Sequence, residues 1–167
     1  MQRSTYVVAV GSNRWGRHGR PEAEVTGALA AIPGDVLAAP IITSAPLGPS
    51  TRRFANTVAL VQTDVDPETM LHRLKRIECS LGRRDGLRWG ARVIDLDIVL
   101  WTGGAYSVPG LEIPHPAFRG RDFVLAPLCV IAPDWRDPLT GLTMRQLRAR
   151  LTSRRPLPRR SRTGEGP

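Results

Sequence analysis

Lysine is almost absent from this chain: of 24 basic residues in 167, only Lys75 is a lysine and the rest are arginines. The cationic chemistry is therefore that of planar guanidinium forks, which match phosphate and carboxylate oxygens in pairs. Cysteine is scarce as well. Cys79 and Cys129 form no CxxC and no His/Cys cluster, which excludes a disulfide framework and a zinc site and leads us to expect reduced, packed thiols in a cytoplasmic protein. Aromatic residues make up 5%, few for the stacking platforms of an RNA-binding sheet. No apolar run approaches the roughly 20 residues of a membrane span. The apolar stretch in MQRSTYVVAVGSN is short and reads as a first strand, not a signal peptide. Neither GxxxxGK[ST] nor GxGxxG occurs, so phosphate is not held by a P-loop or by a kinase-type glycine loop.

What is present suits one domain with a sizeable core, expected over residues 1–152. Residues 153–167 carry five arginines against Glu165 and are expected to form a basic, disordered tail. They hold much of the net charge of +9, which leaves the domain itself only moderately basic.

The punctuation of the chain predicts its elements. Tyr6 to Val10 reads as a buried strand closed by Gly11-Ser12-Asn13. Pro21 with Glu22 and Glu24 opens a helix that carries Val25, Leu29 and Ile32 and stops at Pro33-Gly34. Val36 to Thr43 and Phe54 to Thr63 read as strands. Asp66-Pro67-Glu68 starts a second helix, which Gly82 ends. Val93 to Leu100 is a further strand. Beyond it lie a Gly103-Gly104 turn, the segment IPHP, a short apolar run from Phe123 to Ile131, and a closing helix from Thr143 to Leu151. The order strand, helix, strand, strand, helix, strand predicts an α+β, ferredoxin-like split βαβ core. Its sheet would be mainly antiparallel, with helices on one face and catalytic loops on the other.

The strongest chemical signal is Asp95-Leu96-Asp97 within an apolar strand. Side chains alternate, so both carboxylates leave the same face roughly 7 Å apart, while Ile94, Leu96 and Ile98 face the core. A bare pair of this kind fits two readings: an exposed face paired with arginines, or a site for a hard divalent cation such as magnesium, which takes one or two carboxylates plus phosphate oxygens. Just upstream stand Arg83, Arg84, Arg88, Trp89 and Arg92 among glycines. Guanidinium groups beside a carboxylate pair are what a bound triphosphate requires, because charge on its oxygens must be offset before a nucleophile approaches.

These blocks carry a resemblance. RWGARVIDLDIVLW, preceded by KRIECSLGR and followed by IPHPAFRGRDFVLAPL, with VVAVGSN, APLGP and FANTVALVQT in order before them, resembles the 6-hydroxymethyl-7,8-dihydropterin pyrophosphokinases of folate biosynthesis from about Tyr6 to Asp137. The resemblance implies an ATP-dependent diphosphotransferase that needs magnesium, with ATP and 6-hydroxymethyl-7,8-dihydropterin as its small-molecule partners. It also implies a monomer with no specific nucleic-acid partner and no membrane partner. Asp95 and Asp97 match the metal-holding pair, and with Arg83 and Arg92 they make up the implied catalytic set. Ser44, Leu47, Phe54, Asn56, Trp89 and Phe123 match pterin-site positions, with Phe54 and Phe123 stacking on the ring and Trp89 in a closing loop. Glu78, Arg83, Arg92, Ile98, His115 and Arg121 match the ATP site. The sequence departs from the family pattern in four places: Ser50-Thr51-Arg52-Arg53 replaces an acidic, glutamine-containing stretch, Lys75 stands where glutamine is common, Pro116 replaces a frequent aromatic beside the histidine, and the loop from Arg83 to Arg88 is one residue short.

A basic RNA-binding sheet is the rival reading, and a metal-dependent phosphoesterase a third. Asp95 and Asp97 on the open face would repel nucleic-acid phosphates, and a phosphoesterase has no use for an aromatic sandwich. His18 and His72 have no partner at motif spacing and are expected to be surface residues.

Overall fold

β-Branched, alternating residues place Ser4–Ser12 (β1) at the centre of the sheet in the computed structural model, which describes residues 3–44, 53–82 and 93–153. Tyr6, Val8 and Val10 point to one face, and Val7 and Ala9 to the other. Around β1 the chain builds α1 (Pro21–Ala31), β2 (Asp35–Ala38), β3 (Ile42–Ser44), β4 (Phe54–Thr63), α2 (Pro67–Gly82) and β5 (Asp95–Trp101). The sheet order is β2-β4-β1-β5, with β3 also on β4, and every pairing is antiparallel. This is the expected split βαβ arrangement. The helix starts follow the sequence signals: Pro21 opens α1, and Asp66 caps α2 by accepting the Thr69 N–H at 2.9 Å.

Three features differ from the expectation. The single strand over Val36 to Thr43 is divided into β2 and β3, because Pro40 has no N–H to give the ladder. The register moves by one residue between Ala38↔Ala59 and Ile42↔Asn56, and the Thr57 hydroxyl donates to Ala39 O at 2.8 Å inside the gap. Secondly, the apolar run after Phe123, to which the sequence assigns no type, is helical, forming α3 (Asp122–Ile131); the expected closing helix follows it as α4 (Met144–Thr152), started by a reciprocal Thr143–Gln146 capping box. Thirdly, helices cover part of both faces. Helices α1 and α2 bury Val25, Ala28, Met70 and Leu74 against Tyr6, Val8, Leu96 and Ile98. On the opposite face α3 and α4 bury Leu125, Leu128, Met144 and Leu147 against Val7, Val58 and Leu100.

A bulge makes the second core possible. Val7 pairs with Leu100 but Val8 with Ile98, so Val99 is an extra residue, and the alternation of β5 resets there. Val99 and Leu100 thus reach the α3–α4 side without moving Asp95 and Asp97 off that same face. A short hairpin, β6 (Tyr106–Val108) with β7 (Leu111–Ile113), leads to a single 3-10 turn at Phe118–Gly120 and then into α3. Of the two cysteines, Cys129 is half-buried, whereas Cys79 is exposed on α2 and not packed as expected. Leu47, Arg83, Trp89, Arg92 and the basic tail lie outside the described residues.

Candidate active site

Antiparallel pairing brings the end of β1, the start of β4 and the start of β5 to one edge of the second face. There Gly11 pairs with both Asn56 and Asp95. Helix α3 covers the middle of that face and stops short of this edge, so its first residues overhang a cleft of about 320 Å³. That volume suits a compact heterocyclic ligand.

Ser44, Phe54, Asn56, Asp95, Asp97, Arg121 and Phe123 all line the cleft, together with Ala9, Val10, Gly11, Thr57 and Val124. Seven positions drawn from four separate segments, β3, β4, β5 and the start of α3, therefore converge. Phe54 and Phe123, the first from β4 and the second from α3, supply aromatic surface to one cavity, and Arg121 lies 5.7 Å above the Phe123 ring, a cation–π contact. Asn56 is buried, and its Nδ2 donates to Ser44 Oγ at 2.7 Å. A polar side chain held this way presents a fixed hydrogen-bonding edge. Gly11 makes room for it: a Cβ there would lie 2.9 Å from Asn56 Oδ1.

Asp95 and Asp97 are half-buried on the cleft side of β5, while Leu96 between them is fully buried on the other. Among the described residues no group of three or more His, Cys, Asp or Glu gathers for a metal. The donor set is thus two carboxylates on a rigid strand, which fits a magnesium ion completed by water and substrate phosphates.

His115, Glu78 and Ile98 do not line the cleft but surround β5. The His115 backbone N–H donates to Val99 O at 2.9 Å. Its Nδ1 accepts the Ala117 N–H at 3.1 Å, which fixes the tautomer and leaves Nε2–H as a donor. Burial holds the imidazole below its usual range, and the Arg121 charge adds to this against the opposing pull of Asp97. Glu78 uses Oε1 to accept Leu96 N–H at 2.8 Å and Lys75 Nζ at 2.9 Å, so it caps the outer edge of β5. The Ile98 side chain is only 3% exposed and belongs to the α1–α2 core. What it can offer a ligand is backbone.

Sequence reasoning missed Gly11 and Thr57 as cleft residues and Glu24 as a buried one. The glycine at a strand end was the available signal for the first. The burial of Glu24 had none, because its partners are two backbone N–H groups and the His18 ring of a loop that the sequence does not bring to it.

Comparison with known proteins identifies the family. Residues 7–133 match the family model described as 7,8-dihydro-6-hydroxymethylpterin-pyrophosphokinase (HPPK). A relative from Pseudomonas aeruginosa, 2-amino-4-hydroxy-6-hydroxymethyldihydropteridine pyrophosphokinase, is 41% identical over 137 residues, covering 78% of this chain and 82% of its own length. The protein of the same name from Synechocystis sp. is 38% identical over 100 residues, or 60% of this chain and 51% of its own length. Folic acid synthesis protein FOL1 of Dictyostelium discoideum is 41% identical over 98 residues, which span 59% of this chain and 15% of that protein. With a family model matched over residues 7–133 and a relative 41% identical over 82% of that relative's own length, this chain belongs to the 7,8-dihydro-6-hydroxymethylpterin pyrophosphokinase family.

Proposed function

We propose that the cleft beside Asp95 and Asp97 is where this chain transfers the diphosphoryl group of ATP to the hydroxymethyl group of 6-hydroxymethyl-7,8-dihydropterin, releasing AMP, for folate biosynthesis. The observation that carries this reading is that two aromatic side chains, an anchored amide and a carboxylate pair, from separate segments, line one cavity. The flat ring lies between Phe54 and Phe123, and its polar edge meets Asn56 and Ser44. The ring's hydroxymethyl oxygen then points along the cleft towards Asp95 and Asp97, which hold magnesium. Bound there, magnesium offsets phosphate charge and lowers the pKa of the attacking hydroxyl.

ATP lies over the outer edge of β5. Because the Leu96 amide faces away from β1 towards Glu78, strand alternation gives the Ile98 backbone the same outward direction, open to a base or ribose. His115 Nε2–H and the Arg121 guanidinium donate to phosphate oxygens, while Arg83 and Arg92 are assigned to the phosphates on sequence alone. The hydroxymethyl oxygen attacks the β-phosphorus, a new P–O bond forms as the α,β-bridging P–O bond breaks, and AMP departs. Holding both reactants in line is the main contribution of the protein side chains. In this reading the working unit is a monomer and its compartment the cytoplasm. Among the described residues no helix is long and apolar enough to cross a membrane.

The test is AMP release from ATP and magnesium, with and without 6-hydroxymethyl-7,8-dihydropterin, with AMP resolved from ADP by chromatography. AMP that appears only with the pterin is the expected result. ADP as product, or neither nucleotide together with salt-sensitive RNA binding, overturns the reading.

A further inference from the structure

Asp95 occupies a mechanically weak position. It is the first residue of an edge strand and belongs to the last β1–β5 register pair, Gly11↔Asp95, where ladders fray. Two residues earlier the chain is gripped far more firmly than an exposed strand end needs. The Ser12 hydroxyl donates to the Val93 carbonyl oxygen. The Val93 side chain is wedged between two glycines: a Cβ on Gly16 would lie 2.6 Å from Val93 Cγ1, and one on Gly82 2.6 Å from Val93 Cγ2.

Behind this wedge sits a carboxylate that the reaction does not use. Glu24 of α1 is fully buried. Its Oε1 accepts the backbone N–H of His18 and, at 3.1 Å, that of Gly19, and its Oε2 lies 3.2 Å from His18 Nδ1. These contacts hold a tight turn in which Gly16 and Gly19 exchange N–H···O bonds of 3.1 and 3.2 Å. The Glu24 carboxyl also backs directly on Gly16, where a Cβ would lie 2.7 Å from Glu24 Cδ. The contacts run without a gap from the Glu24 carboxyl to Gly16, from Gly16 to Val93, and along two peptide units to Asp95.

We propose that Glu24 is a positioning residue for the metal carboxylates: it fixes the Gly16–Gly19 turn, the turn fixes Val93, and Val93 sets the direction in which Asp95 leaves β5. A buried carboxylate is costly unless its partners repay it. Here the partners are the backbone N–H groups of His18 and Gly19 and the His18 ring, in a loop that contributes no residue to either core. The inference rests on the reading of Asp95 and Asp97 as magnesium ligands.

Three variants test it: Glu24→Ala, Glu24→Gln, which keeps the shape and one acceptor oxygen, and Gly16→Ala, which keeps the Glu24 side chain but drives a methyl group against both its carboxyl and Val93. The measurements are the magnesium concentration for half-maximal AMP release, calorimetric binding of a non-hydrolysable ATP analogue with magnesium, pterin binding without nucleotide, and thermal melting. Glu24→Ala and Gly16→Ala are expected to raise the magnesium requirement about tenfold, the lower end for loss of support around a metal ligand. Analogue binding should weaken in parallel, pterin affinity should stay within about twofold, and Glu24→Gln should recover most of the loss. If Glu24→Ala does not fold, Gly16→Ala and Glu24→Gln carry the decision. A normal magnesium requirement in folded Glu24→Ala or Gly16→Ala protein, with activity falling only as melting falls, overturns the inference alone. A wild-type protein with no divalent-ion requirement overturns the metal reading and the inference with it.

Discussion

Replacing Asp137 by alanine is expected to destabilise the protein by about 3 kcal/mol, at the lower end for breaking a buried ion pair. Asp137 is fully buried in the connection between α3 and α4. Its two oxygens receive Arg119 Nε and Nη2 at 2.7 Å each, Thr140 Oγ1 at 2.6 Å and Leu139 N–H at 3.2 Å. The variant orphans all of these donors at once, but Arg119 is 27% exposed and can turn to water, which keeps the cost near that lower end. For a chain of this size about 3 kcal/mol lowers Tm by roughly 6–12 °C. Burial by itself would push the Asp137 carboxyl up, yet the Arg119 fork, the Thr140 hydroxyl and the Leu139 amide outweigh it and hold the carboxyl below its usual range. The stabilisation is therefore present in full above the unfolded carboxyl value of about 3.9 and is lost as pH falls through the lower folded value. Thermal melting of wild type and Asp137→Ala between pH 8 and pH 3 is the assay. The Tm gap should be constant down to about pH 5 and close below about pH 4. A gap of less than about 3 °C at pH 7, or one that persists unchanged into acid, refutes the argument.

Other perturbations probe the cleft itself. Asp97→Ala should reduce turnover a hundredfold or more, on the order of losing a metal ligand, while melting stays within about 3 °C of wild type; near-normal rates would remove the carboxylate pair from the mechanism. Gly11→Ala drives a methyl group to 2.9 Å from Asn56 Oδ1 and should raise the pterin KM about three- to tenfold with little change in kcat, in line with one weakened hydrogen bond. An unchanged KM would show that Asn56 does not read the ring. Truncation after Ser153 removes five arginines and should weaken nonspecific binding to polyanions, measured by its salt dependence, with turnover preserved.

The carboxylate pair assigned to the chemistry was legible because its signal is local. Alternation alone puts Asp95 and Asp97 on one face of β5 and Leu96 on the other, and the observed burial follows it. Pro21 and Asp66-Pro67 mark helix starts for reasons that lie within one turn of chain, and the structure begins α1 and α2 there. The family blocks added Phe54, Asn56, Arg121 and Phe123, which periodicity would have assigned to an ordinary core or surface.

Tertiary structure decided what depends on partners distant in sequence. The run from Phe123 to Ile131 is apolar enough for a strand or a helix, and only the need to cover Val7, Val58 and Leu100 made it a helix that caps the second face. The bulge at Val99 is an adjustment of register between strands, which no single strand encodes. Glu24 and Glu78 look like solvated helix acids in the sequence. One became the buried anchor of a loop and the other the cap on the open edge of β5, because unpaired backbone N–H groups must find acceptors wherever the fold leaves them.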